Sequence, residues 1–276
     1  MTEREKDAMA PAGERPASWT ARTPQPGSLQ PGWLQPGSLQ PGTPRERARA
    51  RTVADIVRLG RQHLAVHGAA ALSLRAVARD LGVVSSAVYR YVENRDELLT
   101  LLLIDAFGEL GDEVDAAVAA VPEGDHMGRF CALGRAVRAW ALREPASYAL
   151  LFGSPVPGYE APAERTTGPG TRVIVTLVGI LDAAARAGRL MVREQGVAAI
   201  PPALGSDLSA IRSQFNLDIS GELVARGVLV WSAMFGAVSF EVFNQYGPDT
   251  FSAPGELFDY HLSVLAGVAG LPGQSS

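Results

Sequence analysis

From Thr43 to the C-terminus, apolar side chains recur every three or four positions, and long alternating β-branched runs are hard to find. A 3.6-residue period is the mark of helices with a buried face, so the spacing predicts an all-α chain. Proline sets the boundaries, because it lacks the N–H that a helix interior needs and clashes with the preceding turn. Breaks at Pro122, Pro145, Pro155, Pro157, Pro169, Pro201, Pro202 and Pro254 predict helices over roughly 98–120, 126–143, 169–188, 206–216, 221–246 and 255–269. Ahead of Thr43 the pattern is different. Eight of the 19 prolines fall within residues 1–44, where a Gln-Pro-Gly-Ser-Leu unit repeats from Gln25, with Trp33 replacing the serine once. Repeated Pro-Gly forbids helix and sheet, and a period of five is too short for a solenoid unit, so residues 1–44 are expected to form a solvated tail.

Residues 45–97 divide into short helical pieces. A first helix carries Val53, Ile56, Gly60 and Leu64 on one side and stops at His67-Gly68. Ser73 stands where a second helix needs a cap, with Leu74, Val77, Ala78 and Leu81 facing inward and Arg75 and Arg79 outward. Gly82-Val83 closes that helix, and a third is predicted from Ser85 to Val92, with Val88 and Val92 packing on Leu74 and Val77. Two helices joined by so tight a glycine turn must cross, which is the helix-turn-helix plan. A helix of about two turns bearing small polar residues and an arginine fits the major groove, so Ser85, Ser86, Ala87, Tyr89 and Arg90 are candidate base contacts. Asn94 can cap a fourth helix, at whose start Arg95 is placed to meet a phosphate. Upstream, Arg45, Arg47, Arg49 and Arg51 are expected to form a flexible basic arm.

Charge is distributed to match. The net charge of −4 argues against a polyanionic partner, yet residues 45–97 hold ten Arg against six acids while residues 98–276 hold eleven against nineteen. A basic block beside an acidic one predicts one part that faces nucleic acid and another that faces something else. The single cysteine, Cys131, leaves no intramolecular disulfide framework and fits a reducing cytosol. No segment approaches the ~20 apolar residues of a bilayer span, and no signal sequence is evident, so a cytoplasmic protein without a membrane partner is expected.

The run Ala71-Leu72-Ser73-Leu74-Arg75-Ala76-Val77-Ala78-Arg79-Asp80-Leu81-Gly82-Val83-Val84-Ser85-Ser86-Ala87-Val88-Tyr89-Arg90-Tyr91-Val92, continued by Arg95-Asp96-Glu97-Leu98-Leu99, resembles the DNA-binding domain of the TetR (tetracycline repressor) family. This chain has Val84 where the family usually has Ser, Tyr91-Val92 for His-Phe and Arg95 for Lys. The resemblance implies a dimeric transcription regulator that holds double-stranded operator DNA and is released by a small-molecule effector. The DNA-contact set is then Arg49, Arg51, Ser73, Arg75, Ser85, Ser86, Ala87, Tyr89, Arg90, Tyr91 and Arg95. A second stretch, Ala146 to Tyr159, together with Trp231-Ser232-Ala233-Met234-Phe235-Gly236, resembles the C-terminal domain of the TetR branch named for a Trp, a His and a Gly. Phe235 stands in place of that histidine, so the branch's ligand does not carry over.

The expected organisation is therefore a tail over 1–44, a helix-turn-helix domain over 45–97 and a helical effector-binding and dimerisation domain over 98–272. Apolar residues cover so much of the helix predicted at 221–246 that it must be buried on two sides, one in its own core and one against a second copy. Val224, Val228, Val238 and Val242, with Leu262 and Leu265 of the last helix, are the expected dimer contacts. Phe130, Trp140, Tyr148, Phe152, Trp231 and Phe235 are rich enough in aromatic surface to line an apolar effector pocket.

Catalytic and metal chemistry is not expected. His63 and His67 lie four apart, the spacing that puts two imidazoles on one helical face, but no third ligand follows. No phosphate-cradling glycine loop, nucleophile elbow or carboxylate pair with a histidine is present, so neither an enzymatic activity nor a cofactor is expected. An activator or architectural DNA-binding protein shares the N-terminal pattern and differs only in whether a ligand releases the DNA.

Overall fold

The computed structural model describes residues 43–191 and 199–272. The Pro-Gly repeat lies outside the described residues. Among those described there are helices and no strand: α1 (Pro44–His67), a 3-10 turn (Ala69–Ala71), α2 (Leu74–Asp80), α3 (Ser85–Val88), α4 (Arg95–Ala119), α5 (His126–Arg143), α6 (Pro145–Phe152), α7 (Ala163–Gly170), α8 (Arg172–Arg186), α9 (Pro202–Phe215), α10 (Gly221–Val242) and α11 (Pro254–Val268). The helical expectation holds, and several prolines start helices rather than merely separating them. Pro145, Pro202 and Pro254 each sit in the first turn, where the missing N–H has no partner to lose. Side-chain caps begin others: the carboxamide oxygen of Asn94 accepts from Glu97 N at 2.8 Å, and the Asp125 carboxylate from Gly128 N at 2.8 Å.

Two apolar clusters organise these helices. The first joins Ile56, Val57 and Leu59 of α1, Leu74, Val77 and Ala78 of α2, Val88, Val92 and the opening turns of α4 at Leu98, Leu99 and Leu102. The second takes the rest of α4 at Ala106, Leu110, Val114 and Val118, with α5, α8, α10 and α11 packed around Trp140, Leu177, Met234 and Leu262. α4 therefore crosses the expected domain boundary at residue 97 without a break. Helix α10 is long and apolar enough by composition to cross a bilayer, contrary to the expectation that no segment comes near that length. Its Val224, Val230, Met234 and Val238 fill the protein's own interior, which accounts for that composition.

Three expectations need correction. The helix predicted at 169–188 is two helices, α7 and α8, with a 42° bend between them; Pro169 lies inside the last turn of α7 instead of ahead of a helix. Helix α6 falls in a stretch from which no helix was expected, because its eight residues are too few to show a period. Val224, Val238 and Leu262 are 1%, 0% and 0% exposed in the single chain, so they have no surface left to bury against a second copy.

Helices α5 and α11 cross closely. A Cβ on Gly134 would overlap the buried Leu262 side chain, whereas one on Gly179, midway along α8, meets nothing. Gly134→Ala should cost about 1–3 kcal/mol by overpacking. Gly179→Ala should gain roughly 0.5–1 kcal/mol from helix propensity. Thermal unfolding of the two variants should therefore move in opposite directions, and a lowered Tm for both would mean that crowding at Gly134 is not the determinant.

Candidate nucleic-acid interface

Helix α2 ends on a left-handed glycine. Gly82 has φ 74°, and the turn is closed by Gly82 N to Arg79 O at 3.0 Å and Val83 N to Ala78 O at 3.1 Å. A side chain on Gly82 would be strained, so the crossing of α2 and α3 depends on this residue. Ser73 does occupy the position that precedes α2, but its hydroxyl makes no cap hydrogen bond. The corresponding position before α3 is held by Val84, again without a side-chain cap. Regular α3 is one turn shorter than expected. It spans Ser85–Val88 and gives way to a turn in which Tyr91 N and Val92 N both donate to Val88 O, at 2.9 and 3.1 Å.

Buried Val88 and Val92 anchor this segment on α2 as the spacing required, leaving Ser86, Tyr89 and Arg90 exposed and Ser85, Ala87 and Tyr91 half-buried. The N-terminal arginines differ from expectation. Arg45, Arg47, Arg49 and Arg51 are part of α1, not a flexible arm, because α1 begins at Pro44 with the favoured first-turn proline. Arg49 turns back: its guanidinium donates to Arg90 O at 3.4 Å and lies over the Tyr91 ring at 5.4 Å. Tyr91 is thereby a platform for Arg49, and α1 braces the end of the α3 segment.

Arg95 is tied inward. It donates to Ala69 O at 2.9 Å and Ala70 O at 3.2 Å, and pairs with Asp96 at 3.6 Å. The guanidinium stitches the 3-10 turn to the start of α4. A second stitch joins α1 to α2: His63 Nε2 lies 2.6 Å from Asp80 Oδ2, and this hydrogen bond holds the Asp80 carboxyl below the usual carboxylate range. The His63–His67 pair is thus engaged through Asp80, and among the described residues no cluster of three ligands suits a metal ion.

Charge pairing differs in degree between the two ends of the molecule: Arg58, Arg61, Arg79 and Arg95 at the helix-turn-helix end are paired, and among the described residues Arg129, Arg189 and Arg212 of the bundle have no ion-pair partner. Arg135, Arg138, Arg143, Arg172 and Arg186 are each matched by a carboxylate within the helical bundle, and Arg165 by Glu97 at the start of α4. By contrast, among the described residues Arg45, Arg47, Arg51, Arg75 and Arg90 have side chains with no ion-pair partner, and all five are exposed. Unpaired cations grouped on one small unit generate a positive potential suited to phosphates, and none must break an internal pair to meet them.

Four of the six expected pocket aromatics form a packed train, which no ring contact extends to Phe130 or Trp140 among the described residues. Trp231 touches Phe235 at 5.4 Å between ring centroids, Phe235 touches Phe152 at 4.6 Å, and Phe152 touches Tyr148 at 5.0 Å. Phe107 and Phe243, outside the expected pocket residues, extend it. Phe130, Trp140 and Tyr148 are fully buried. Burial pushes the Tyr148 phenol up, and its hydroxyl donates to Phe235 O at 3.0 Å while meeting Ser239 Oγ at 2.8 Å. One buried donor in this core, Trp140 Nε1, has no partner among the described residues. On the outside, an open groove of about 540 Å³ between α10 and α11 is lined by Ala237, Phe240, Tyr246, Tyr260, Val264 and Leu265.

A basic helix-turn-helix unit on an acidic helical bundle defines the class: a DNA-binding regulator. Residues 130–265 match the family profile described as "Tetracyclin repressor-like, C-terminal domain". The chain is 46% identical over 224 residues to the HTH-type transcriptional regulator Rv1816 of Mycobacterium tuberculosis, covering 81% of this chain and 94% of that one. Among solved structures it is similar to the regulatory protein SCO4313, at 33% identity and TM-score 0.65, covering 82% of this chain and all of that one. A tetR-family regulatory protein from Rhodococcus RHA1 shares the fold at 15% identity and TM-score 0.52, over 79% of this chain and 97% of that one. The chain belongs to the TetR family of DNA-binding transcriptional regulators.

The two kinds of arginine predict different behaviour without DNA. Arg95→Ala removes charge-assisted bonds to two backbone carbonyls and should destabilise the fold by about 1 kcal/mol, below the usual range for charged hydrogen bonds because the side chain is a third exposed. Arg90→Ala removes no side-chain partner and should leave the melting curve unchanged. Equal melting of Arg95→Ala and wild type in DNA-free buffer would show that the stitch to Ala69 and Ala70 carries no stability.

Proposed function

We propose that the chain is a cytoplasmic homodimeric repressor, held on its operator by the α2–α3 unit and released when a small apolar molecule enters the aromatic train of the bundle. The observation that carries this reading is the group of five unpaired, exposed arginines, Arg45, Arg47, Arg51, Arg75 and Arg90, on the helix-turn-helix unit, against a bundle in which most arginines are paired with carboxylates. Ser86, Tyr89 and Arg90 face outward on the α3 segment, with Ser85 and Ala87 beside them, and read base edges. Arg51 and Arg75 meet phosphates and fix the register, with Ser73 at the start of α2 within the same backbone contact. Arg49 and Tyr91 act by bracing, and Arg95 reaches a phosphate only with donors not given to Ala69 and Ala70. Trp231 and Gly236 around Phe235 support placing the C-terminal domain in the Trp-His-Gly branch, with an effector that needs no imidazole at that position.

The dimer contacts are those with surface to lose. Val228 is 43% exposed, Leu229 57%, Phe240 48%, Tyr260 66% and Val264 48% on α10 and α11, with Val242 and Leu265 half-buried beside them. Large exposed apolar side chains gathered on two adjacent helices support a self-complementary two-fold interface.

Three measurements test the reading. On a duplex selected from random DNA, Arg90→Ala should lose ~1–3 kcal/mol of binding to that duplex and little on scrambled DNA. Arg51→Ala should weaken both alike and reduce the salt slope by about one. In sedimentation, Val228→Asp or Phe240→Asp should give folded monomers, whereas a wild-type monomer at micromolar concentration would remove the dimer. In a reconstituted transcription assay on a promoter that carries the selected duplex, the protein should lower transcript and the dialysable fraction of a cell extract should restore it. A raised transcript identifies an activator instead.

A further inference from the structure

We propose that Val84 is a specificity residue that reads a pyrimidine 5-methyl group in the major groove, with Ala87 completing the apolar contact. The proposal rests on the reading of α3 as the groove-entering segment. Val84 is 72% exposed, and Val83 beside it is 40% exposed. A solitary exposed valine needs no explanation, and Val66 at the end of α1 is as open. Val84 differs in where it stands. It precedes α3 in extended backbone, φ −69° and ψ 144°, the position at which Ser, Thr, Asp or Asn would accept a hydrogen bond from the first helical N–H groups. Valine can accept none, so the chain forgoes a favourable local interaction on the segment that faces DNA. No burial compensates for it. A local rule broken without a structural return points to function at that residue.

The chemistry of the side chain then selects the target. An isopropyl group neither donates nor accepts, and apart from the small C5–H of cytosine the features of the major-groove base edges are hydrogen-bonding groups with one exception. The exception is the C5 methyl of thymine, with the C5 methyl of 5-methylcytosine as its equivalent. Val84 is positioned to use it. Its carbonyl accepts from Ala87 N at 2.9 Å, which fixes the backbone of the turn, and its β-branched side chain has little rotamer freedom to lose on contact. Ala87 follows at three residues' spacing, on the same side, and Ser85 and Ser86 between them are too short to overshadow the isopropyl group.

The test is made on the full-length protein with the duplex it selects from random DNA. Each thymine is replaced in turn by deoxyuridine, which removes the methyl and leaves every hydrogen-bonding group. One symmetric pair of positions should weaken wild type about fourfold per half-site, the factor that corresponds to ~0.8 kcal/mol for a buried methyl. Val84→Ser should lose most of the difference between the thymine and deoxyuridine duplexes, keeping only what Ala87 supplies, yet melt at a higher temperature than wild type because the cap is restored. Val84→Thr, which keeps one methyl, should fall between them in methyl sensitivity. If the selected duplex instead carries cytosine there and wild type gains affinity when that base is methylated, while Val84→Ser loses most of that gain, the source of the methyl is 5-methylcytosine. Equal methyl sensitivity in wild type and Val84→Ser, or none in wild type, overturns the proposal. The underlying reading fails separately and visibly: Ser86→Ala and Arg90→Ala would then lose as much on scrambled DNA as on the selected duplex, which also overturns the role of Val84.

Discussion

The structure depends on a single helix passing through two hydrophobic clusters. Leu98, Leu99 and Leu102 of α4 close the core of the helix-turn-helix unit, and Leu110, Val114 and Val118 of the same helix stand within the core of the bundle. Each of these side chains is almost wholly withdrawn from water, worth roughly 1.5–3 kcal/mol apiece, so neither cluster can release α4 cheaply. The start of the helix is fixed by the Asn94 cap and by Arg95 on the Ala69 and Ala70 carbonyls. Its middle is fixed to α1 by Arg61, which pairs with Asp105 at 3.2 Å, Glu109 at 2.6 Å and Glu144 at 2.9 Å. The orientation of the α2–α3 unit thus follows from α4.

The same pairing logic explains how an acidic chain can serve a polyanion. Carboxylates outnumber arginines in the bundle, and its cations are largely neutralised by neighbours. The DNA-facing unit has fewer acids, and two of them are placed on structural tasks, Asp80 on His63 and Glu97 on Arg165. Net charge therefore says little, while the local excess of unpaired arginine says a good deal.

Local signals were legible and circumferential ones were not. The glycine at Gly82, the apolar spacing of Val77, Val88 and Val92, the Asn94 cap and the proline at the start of α11 each act within a few residues, so the sequence displays them directly, whereas α9 begins at Pro202, four residues before the expected start at 206. The assignment of Val238 and Leu262 to a dimer face failed for a different reason. A helix apolar on most of its surface, such as α10, does not encode which stripe meets its own core; that is decided by α5, α8 and α11, distant in sequence. Short elements were hidden too. α6 and α7 have eight residues each, two turns in which a 3.6 period cannot be told from chance. The inward tie of Arg95 was invisible for a related reason, since its acceptors are carbonyls 25 and 26 residues away and leave no trace in composition.

Helix α6 is where these long-range relations meet. Its Tyr148 and Phe152 belong to the aromatic train, and the Tyr148 hydroxyl donates to Phe235 O of α10, while Leu150, with Val156 and Tyr159 just beyond, packs on the helix-turn-helix core. Tyr159 adds a hydroxyl contact of 2.9 Å to Thr100 of α4. The joint that precedes α6 is pinned to α1 through Glu144 and Arg61. Eight residues thus carry side chains into both cores and are bounded by polar ties to α1 and α4. Close-packed interiors do not absorb displacement gradually. On the proposed entry of a molecule between Phe152 and Phe235, a displacement of α6 would withdraw Leu150 from the first core or carry α1 and α4 with it. Coupling between the bundle and the DNA-facing unit requires no further contact than these.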